Sequence, residues 1–229
     1  MLNLPIAFLR SNAILAGSGI MIALSIADGA FKSSLYMLSP LAFWIFDVTK
    51  FVILPATILW LLYRYFQVKP TEYGIAGAAE GQAWWEFIGL VVFLALILYV
   101  VYLVAWSLSP KTLWPTPTQH FYQAILPQGI LHFPVAIYYA VTAGVTEEII
   151  FRGLPLLYLK ERYGKSFSRA GYVVVTSILF GAAHWENGSR EVGAAFFFGV
   201  FSSLLYLQLR ELWPLIGAHA LTDLWGFAG

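Results

Sequence analysis

Residues 84–107, "WWEFIGLVVFLALILYVVYLVAWS", contain a single charged side chain, Glu86, in a run of aromatic and aliphatic residues. At about 1.5 Å per residue a helix of this run reaches roughly 36 Å, enough to cross a hydrocarbon core of about 30 Å. The apolar residues follow one another without a two-residue alternation. A closed barrel of strands is therefore excluded and a membrane-spanning helix is predicted.

Similar runs recur over 11–28, 41–64, 130–159, 169–186, 191–209 and 212–228. The chain is accordingly read as all-α, a polytopic transmembrane helical bundle of about seven spans. It forms a single integral membrane domain over 1–229, and its chemistry-bearing core is placed at 130–228. The first span, with Arg10 before it, reads as an uncleaved helix.

Composition agrees. The 229 residues are 60% apolar and 11% charged, with a mean hydropathy of +0.75; soluble domains average about 45–50% and about 25%. A net charge of +1 with scattered basic residues excludes nucleic acid as a partner. There is no cysteine, so disulfides, thiol nucleophiles and thiolate metal sites are excluded together.

Assigned to alternate sides, the basic residues divide unequally. Arg10, Arg64, Lys69, Lys160, Arg162, Lys165, Arg169 and Arg210 fall on one side; Lys32, Lys111 and Arg190 fall on the other. The positive-inside bias places the amino terminus in the cytoplasm and the carboxyl terminus outside, in a membrane of the prokaryotic inner or plasma type. The longest connection, 110–129, carries four prolines with Trp114, Phe121 and Tyr122. It reads as an outer interfacial segment, either an aromatic anchor or a lid.

Charges inside spans carry the functional signal, because each costs on the order of 2.5–3.5 kcal/mol to insert. In "TEEIIFRG", residues 146–153, Glu148 and Arg152 are four apart and meet on one helix face, so that carboxylate is neutralised within its own helix. Glu147 is turned about 100° away and is left to take a proton or hold a water. Phe180 and His184 are also four apart, as are His219 and Asp223. Measured along each helix from the basic loops, Glu147, His184, His219 and Asp223 lie at depths of roughly 14–22 Å and fall in one layer, at mid-membrane or beyond. Asp47 and Lys50 are expected to pair with each other. His120 and His132 have no evident partner.

A carboxylate and two imidazoles around a cavity are competent to activate a water for attack on a peptide bond and to stabilise the oxyanion. The same residues are competent to bind a divalent metal. A membrane scaffold held by polar contacts and a proton-coupled transporter are the other classes such residues allow. No H-E-x-x-H and no Gly-x-Gly-Asp is present; "GSG" around Ser18 is a weak echo of a serine protease.

"EEIIFR" (147–152), "FGAAH" (180–184) and "HALTD" (219–223) resemble, in order and spacing, the E-E-x-x-x-R, F-x-x-x-H and H-x-x-x-N/D motifs of the CPBP family. This is a family of glutamic intramembrane proteases that includes the CAAX prenyl endopeptidases. The resemblance covers about residues 130–228. It implies that Glu147, assisted by His184, activates water and that His219 and Asp223 lie at the oxyanion. Glu148 and Arg152 would then be supporting, as would Phe180, with no cofactor or metal in the mechanism. The CAAX endopeptidases carry Asn where this chain has Asp223, and an ionised aspartate cannot donate a hydrogen bond. Asp223 is therefore expected to orient His219, leaving the imidazole to donate alone. The depth of the site favours a membrane-anchored protein or a lipidated or hydrophobic-tail peptide as substrate, with prenyl-CAAX processing as the alternative.

Overall fold

The computed structural model describes residues 6–75, 83–110 and 125–228. Within them the chain forms eight helices and no strand. Helix α1 is Ile6–Ala27 and α2 is Lys32–Leu38. Helix α3 runs from Pro40–Val48 through a π-turn, Thr49–Ile53, into Leu54–Phe66. Helix α4 is Trp84–Leu108. Helix α5 runs from His132–Glu148 through a second π-turn, Ile149–Gly153, into Leu154–Tyr163. Then follow α6, Arg169–Ala182, α7, Ser189–Leu209, and α8, Trp213–Ala228.

Five helical stretches are long and apolar enough to cross a membrane: Ala7–Ala30, Pro40–Phe66, Trp84–Leu108, Gly129–Ser166 and Ser189–Leu209. Their outward faces carry Trp60, Ile88, Phe93, Val100 and Phe197 exposed, an apolar surface that lipid tolerates and water does not. The chain is an integral, multi-pass membrane protein.

Two of the seven expected spans are shorter than anticipated. Helices α6 and α8 have 14 and 16 residues, which at 1.5 Å each cover about 21 and 24 Å, less than a bilayer core of about 30 Å. The run 169–186 is not one span: α6 ends at Ala182 and a separate turn, Trp185–Asn187, follows. The proline-rich segment, with Lys111, Trp114, His120, Phe121 and Tyr122, lies outside the described residues.

The two π-turns have a common origin in sequence. "TKFVILP" (49–55) and "IIFRGLP" (149–155) both end in Leu-Pro. Proline has no N–H and its ring crowds the preceding turn, so the helix opens one turn earlier. The Phe51 carbonyl accepts from Thr146 Oγ1 at 2.9 Å, and the Arg152 carbonyl accepts from the Tyr172 hydroxyl at 3.2 Å. Each carbonyl thereby finds a donor on a neighbouring helix, and the π-turns become contact points between elements.

Helix α8 lies between α5 and α4, and α7 lies between α6 and α4. A continuous apolar core joins them to α1 and α3 through Ile14, Ile58, Leu98, Ile150, Tyr172, Phe198 and Leu215. The approach of α5 to α8 is close: a Cβ added at Gly144 would sit 3.0 Å from the Ile216 carbonyl oxygen and 3.2 Å from the Ala220 nitrogen. Only a glycine lets the backbones meet at this distance, and it draws Glu147 and Glu148 toward His219.

The two ends of the bundle differ. At one end Arg10 binds Glu72 at 2.7 Å and Glu161 at 2.5 Å, and the Arg162 guanidinium lies 4.9 Å from the Phe8 ring. At the other end of α1, Trp185 Nε1 donates to the Ile26 carbonyl at 2.8 Å. Lys50 pairs with Asp28 there at 2.5 Å. The expected Asp47–Lys50 pair is therefore corrected: Lys50 turns to α1, and Asp47 accepts from the Tyr138 hydroxyl at 2.8 Å. Partners from other elements satisfy both charges better than a neighbour three residues away on the same helix.

Candidate active site

A cavity of about 510 Å³ opens between α4, α5, α6, α7 and α8, on the side of the bundle where Trp185 meets α1. Glu147, His184, His219 and Asp223 all line it, together with Phe180. Four residues read from separate segments as one layer thus share one wall.

The adjacent glutamates point to different places. Glu148 is fully buried, and its Oε1 lies 3.3 Å from Arg152 Nη1, itself fully buried. That pair follows from the four-residue spacing. The same oxygen also accepts from His219 Nδ1 at 2.8 Å, a contact that no local spacing contains. A buried carboxylate is tolerable only when paired and hydrogen-bonded, and here the guanidinium and the imidazole share the task. The contact also assigns a proton to His219 Nδ1, because an ionised carboxylate only accepts.

Glu147 faces the cavity. Its Oε2 lies 3.7 Å from His219 Nε2, and the side chain keeps 14% of its surface exposed. Asp223 Oδ2 is also 3.7 Å from His219 Nε2, with 27% exposed. The group that fixes the His219 ring is therefore Glu148, through Nδ1. Asp223 stands on the opposite nitrogen, beside Glu147, where it had been expected to do the orienting.

His184 follows the last turn of α6. Its Nδ1 hydrogen-bonds the Phe180 carbonyl at 2.8 Å. A carbonyl only accepts, so Nδ1 carries the proton and Nε2 of the neutral ring keeps a lone pair. Phe180 is buried and stacks on Phe198, with ring centroids 5.8 Å apart. Its face lies 4.2 Å from the Arg152 guanidinium carbon, so the ring covers the buried cation and separates it from the cavity. Phe198 in turn lies 4.8 Å from the His219 ring.

The cavity also contains groups that sequence reasoning did not bring to the site. Lys32 and Lys50 line it, as do Glu186, Arg190 and the hydrogen-bonded pair Tyr102–Glu191, whose oxygens are 2.6 Å apart. One signal was available: a tyrosine and a glutamate at helical positions in strongly apolar runs each need a partner. His132, given no partner, has its Nδ1 3.2 Å from the Pro127 carbonyl. Among the described residues, no group of three or more His, Asp or Glu side chains is arranged to hold a metal ion.

Residues 129–225 match the protein family described as Type II CAAX prenyl endopeptidase Rce1-like. These 97 of the 229 residues form an Rce1-like domain. That family consists of intramembrane glutamic-type proteases, which makes the chain an intramembrane protease by class. No curated protein and no solved structure matches the chain. The Rce1-like segment takes in α5, α6, α7 and nearly all of α8, including Glu147, Glu148, Arg152, Phe180, His184, His219 and Asp223. The cavity walls contributed by Lys32, Lys50, Tyr102 and Trp106 lie outside it.

Proposed function

We propose that the cavity is the active site of an intramembrane glutamic endopeptidase that hydrolyses a peptide bond in a membrane-anchored protein or a hydrophobic C-terminal tail. The observation that carries this reading is the convergence of Glu147 Oε2 and Asp223 Oδ2 on His219 Nε2, each at 3.7 Å, on a cavity that His184 also lines. A fully closed structural network would not leave two carboxylates and an imidazole on an open wall.

In this reading Glu147 takes a proton from a water whose oxygen bonds to the scissile carbonyl carbon. The unprotonated Nε2 of His184 holds the same water. The carbonyl electron pair moves onto oxygen, where His219 donates from Nε2 while Nδ1 stays on Glu148. An imidazolium donates from both nitrogens, and the Glu148 carboxylate on Nδ1 complements that charge while Glu147 holds the proton of the water. Collapse breaks the C–N bond, and the proton on Glu147 passes to the leaving amine. Donation by a preorganised group in a dry site is the larger part of such catalysis.

The cavity lies toward the end of the bundle away from Arg10, Glu72 and Arg162. With the basic end in the cytoplasm, the site opens to the outer half of the membrane, which suits an anchored tail. The family match favours a second reading, in which the substrate is a prenylated C-terminal tail.

The test compares purified wild type and Glu147→Gln on quenched peptides, prenylated and hydrophobic-tailed, with and without chelator. Turnover lost in the variant and indifferent to chelator is the expected result. Equal turnover by both proteins would overturn the protease reading, and cleavage of farnesylated peptides alone would select the second substrate class.

A further inference from the structure

Immediately after His184 the chain makes a short turn, Trp185–Asn187, whose Glu186 and Asn187 line the cavity. Helix α6 ends at Ala182 and ties His184 to itself by the His184 N–H on the Gly181 carbonyl at 3.0 Å and Nδ1 on the Phe180 carbonyl at 2.8 Å, and the turn follows directly. The elbow between α1 and α2 grips it at three places. Trp185 Nε1 donates to the Ile26 carbonyl at 2.8 Å. Lys32 Nζ forms an ion pair with Glu186, both side chains being nearly fully buried. Between these contacts lies Gly29, where an added Cβ would stand 2.7 Å from Glu186 Oε2 and 2.9 Å from Trp185 Nε1.

The elbow is itself anchored. Asp28 accepts from Lys50 at 2.5 Å, and Lys50 belongs to the π-turn of α3. A continuous path of short contacts therefore runs from α3, through the elbow, to the residue after His184. Every residue of α1, α2 and α3 in this path lies outside the family-matched segment 129–225.

We propose that the α1–α2 elbow, through Ile26, Gly29 and Lys32, is a positioning device for His184. It fixes the turn that directly follows His184, and so the direction in which Nε2 meets the water held by Glu147. This rests on the protease reading above. A methyl group at Gly29 would meet the ends of the Glu186 and Trp185 side chains, which must then shift and loosen the contacts that hold the turn. A misplacement of about 1 Å in such a group costs on the order of 100-fold in rate.

The experiment uses the full chain in detergent with isotope-labelled histidine, its four histidines assigned by single His→Gln replacement. Wild type, Gly29→Ala, Trp185→Phe, Lys32→Met and Lys32→Arg are compared by kcat, KM and the ring resonances of His184 and His219. Gly29→Ala is expected to lower kcat between 10- and 100-fold with KM changed less than about twofold, and to shift His184 while His219 stays in place. Trp185→Phe, which deletes only the indole donor, should do the same to a lesser degree, and Lys32→Arg should retain more activity than Lys32→Met. Unchanged His184 resonances in both Gly29→Ala and Trp185→Phe would overturn the proposal. So would joint displacement of His184 and His219 with loss of the melting transition, which marks a general structural role. A wild type without turnover sinks the protease reading alone, and the resonances still decide whether the elbow positions His184.

Discussion

His219 Nδ1 and Glu148 Oε1 lie 2.8 Å apart, joining α8 to α5 across 71 residues of chain. The neighbouring Glu147 lies on the other side of the same imidazole, with Oε2 3.7 Å from Nε2. One ring thus separates two adjacent carboxylates into a buried one and a cavity-facing one.

That separation predicts opposite phenotypes. Glu148→Gln leaves the fully buried Arg152 without its countercharge and should cost about 3–5 kcal/mol of stability, seen as a lower melting temperature in detergent. Glu147→Gln, partly exposed on the cavity, should melt within about 1 kcal/mol of wild type, as substitutions away from buried networks do. Its kcat should fall by at least about 100-fold, the usual scale of a lost general base.

Gly144→Ala tests the close approach of α5 and α8. The new methyl would meet the Ile216 carbonyl at 3.0 Å, which is backbone and cannot swing aside. Expected are a destabilisation of about 1–3 kcal/mol and a fall in kcat, because the His219–Glu148 contact lengthens. Gly89→Ala, where nothing lies within 4 Å, should stabilise by about 0.5–1 kcal/mol. Thermal unfolding of the two variants side by side makes the comparison.

Asp223→Asn replaces an acceptor 3.7 Å from His219 Nε2 with a side chain that also donates. Turnover should be preserved or raised. Abolished activity with an intact melting transition would show that the charge of Asp223 is required.

At the basic end, pH acts through Glu72. Partial burial works against its carboxylate, but the Arg10 hydrogen bond and the Lys69 N–H outweigh that, and its pKa lies below the ordinary value. A depressed folded-state pKa contributes stability that is fully present above the ordinary carboxylate pKa and is lost as pH falls through the folded value. Wild type should therefore lose more stability than Glu72→Gln between neutral and strongly acidic pH. The pair is a third exposed on the Glu72 side, so the difference should stay within about 1 kcal/mol. Melting curves against pH read it directly.

The long helices were legible before any coordinates because the bilayer imposes a local rule: about 20 consecutive apolar residues satisfy every backbone group within one segment. The four-residue spacings of Glu148 with Arg152 and of His219 with Asp223 were legible for the same reason, since neighbours on one helix are set by its pitch. The lengths of α6 and α8 were not, because an apolar run does not say where a turn will interrupt it. The π-turns were written in two Leu-Pro pairs, yet their use as contacts with Thr146 and Tyr172 depended on which helix lay alongside.

Local periodicity and composition alone established an all-helical membrane chain and drew Glu147, His184, His219 and Asp223 out of 229 residues. Partners across helices needed the packed bundle. Glu148 serves His219 as well as Arg152, and Lys50 turns to Asp28 and not to Asp47. A helix's pitch is fixed by its own hydrogen bonds, whereas its rotation and depth against its neighbours are fixed by contacts such as Gly144 on Ile216. No stretch of sequence contains both sides of such a contact, so the chemistry of the site had to wait for the fold.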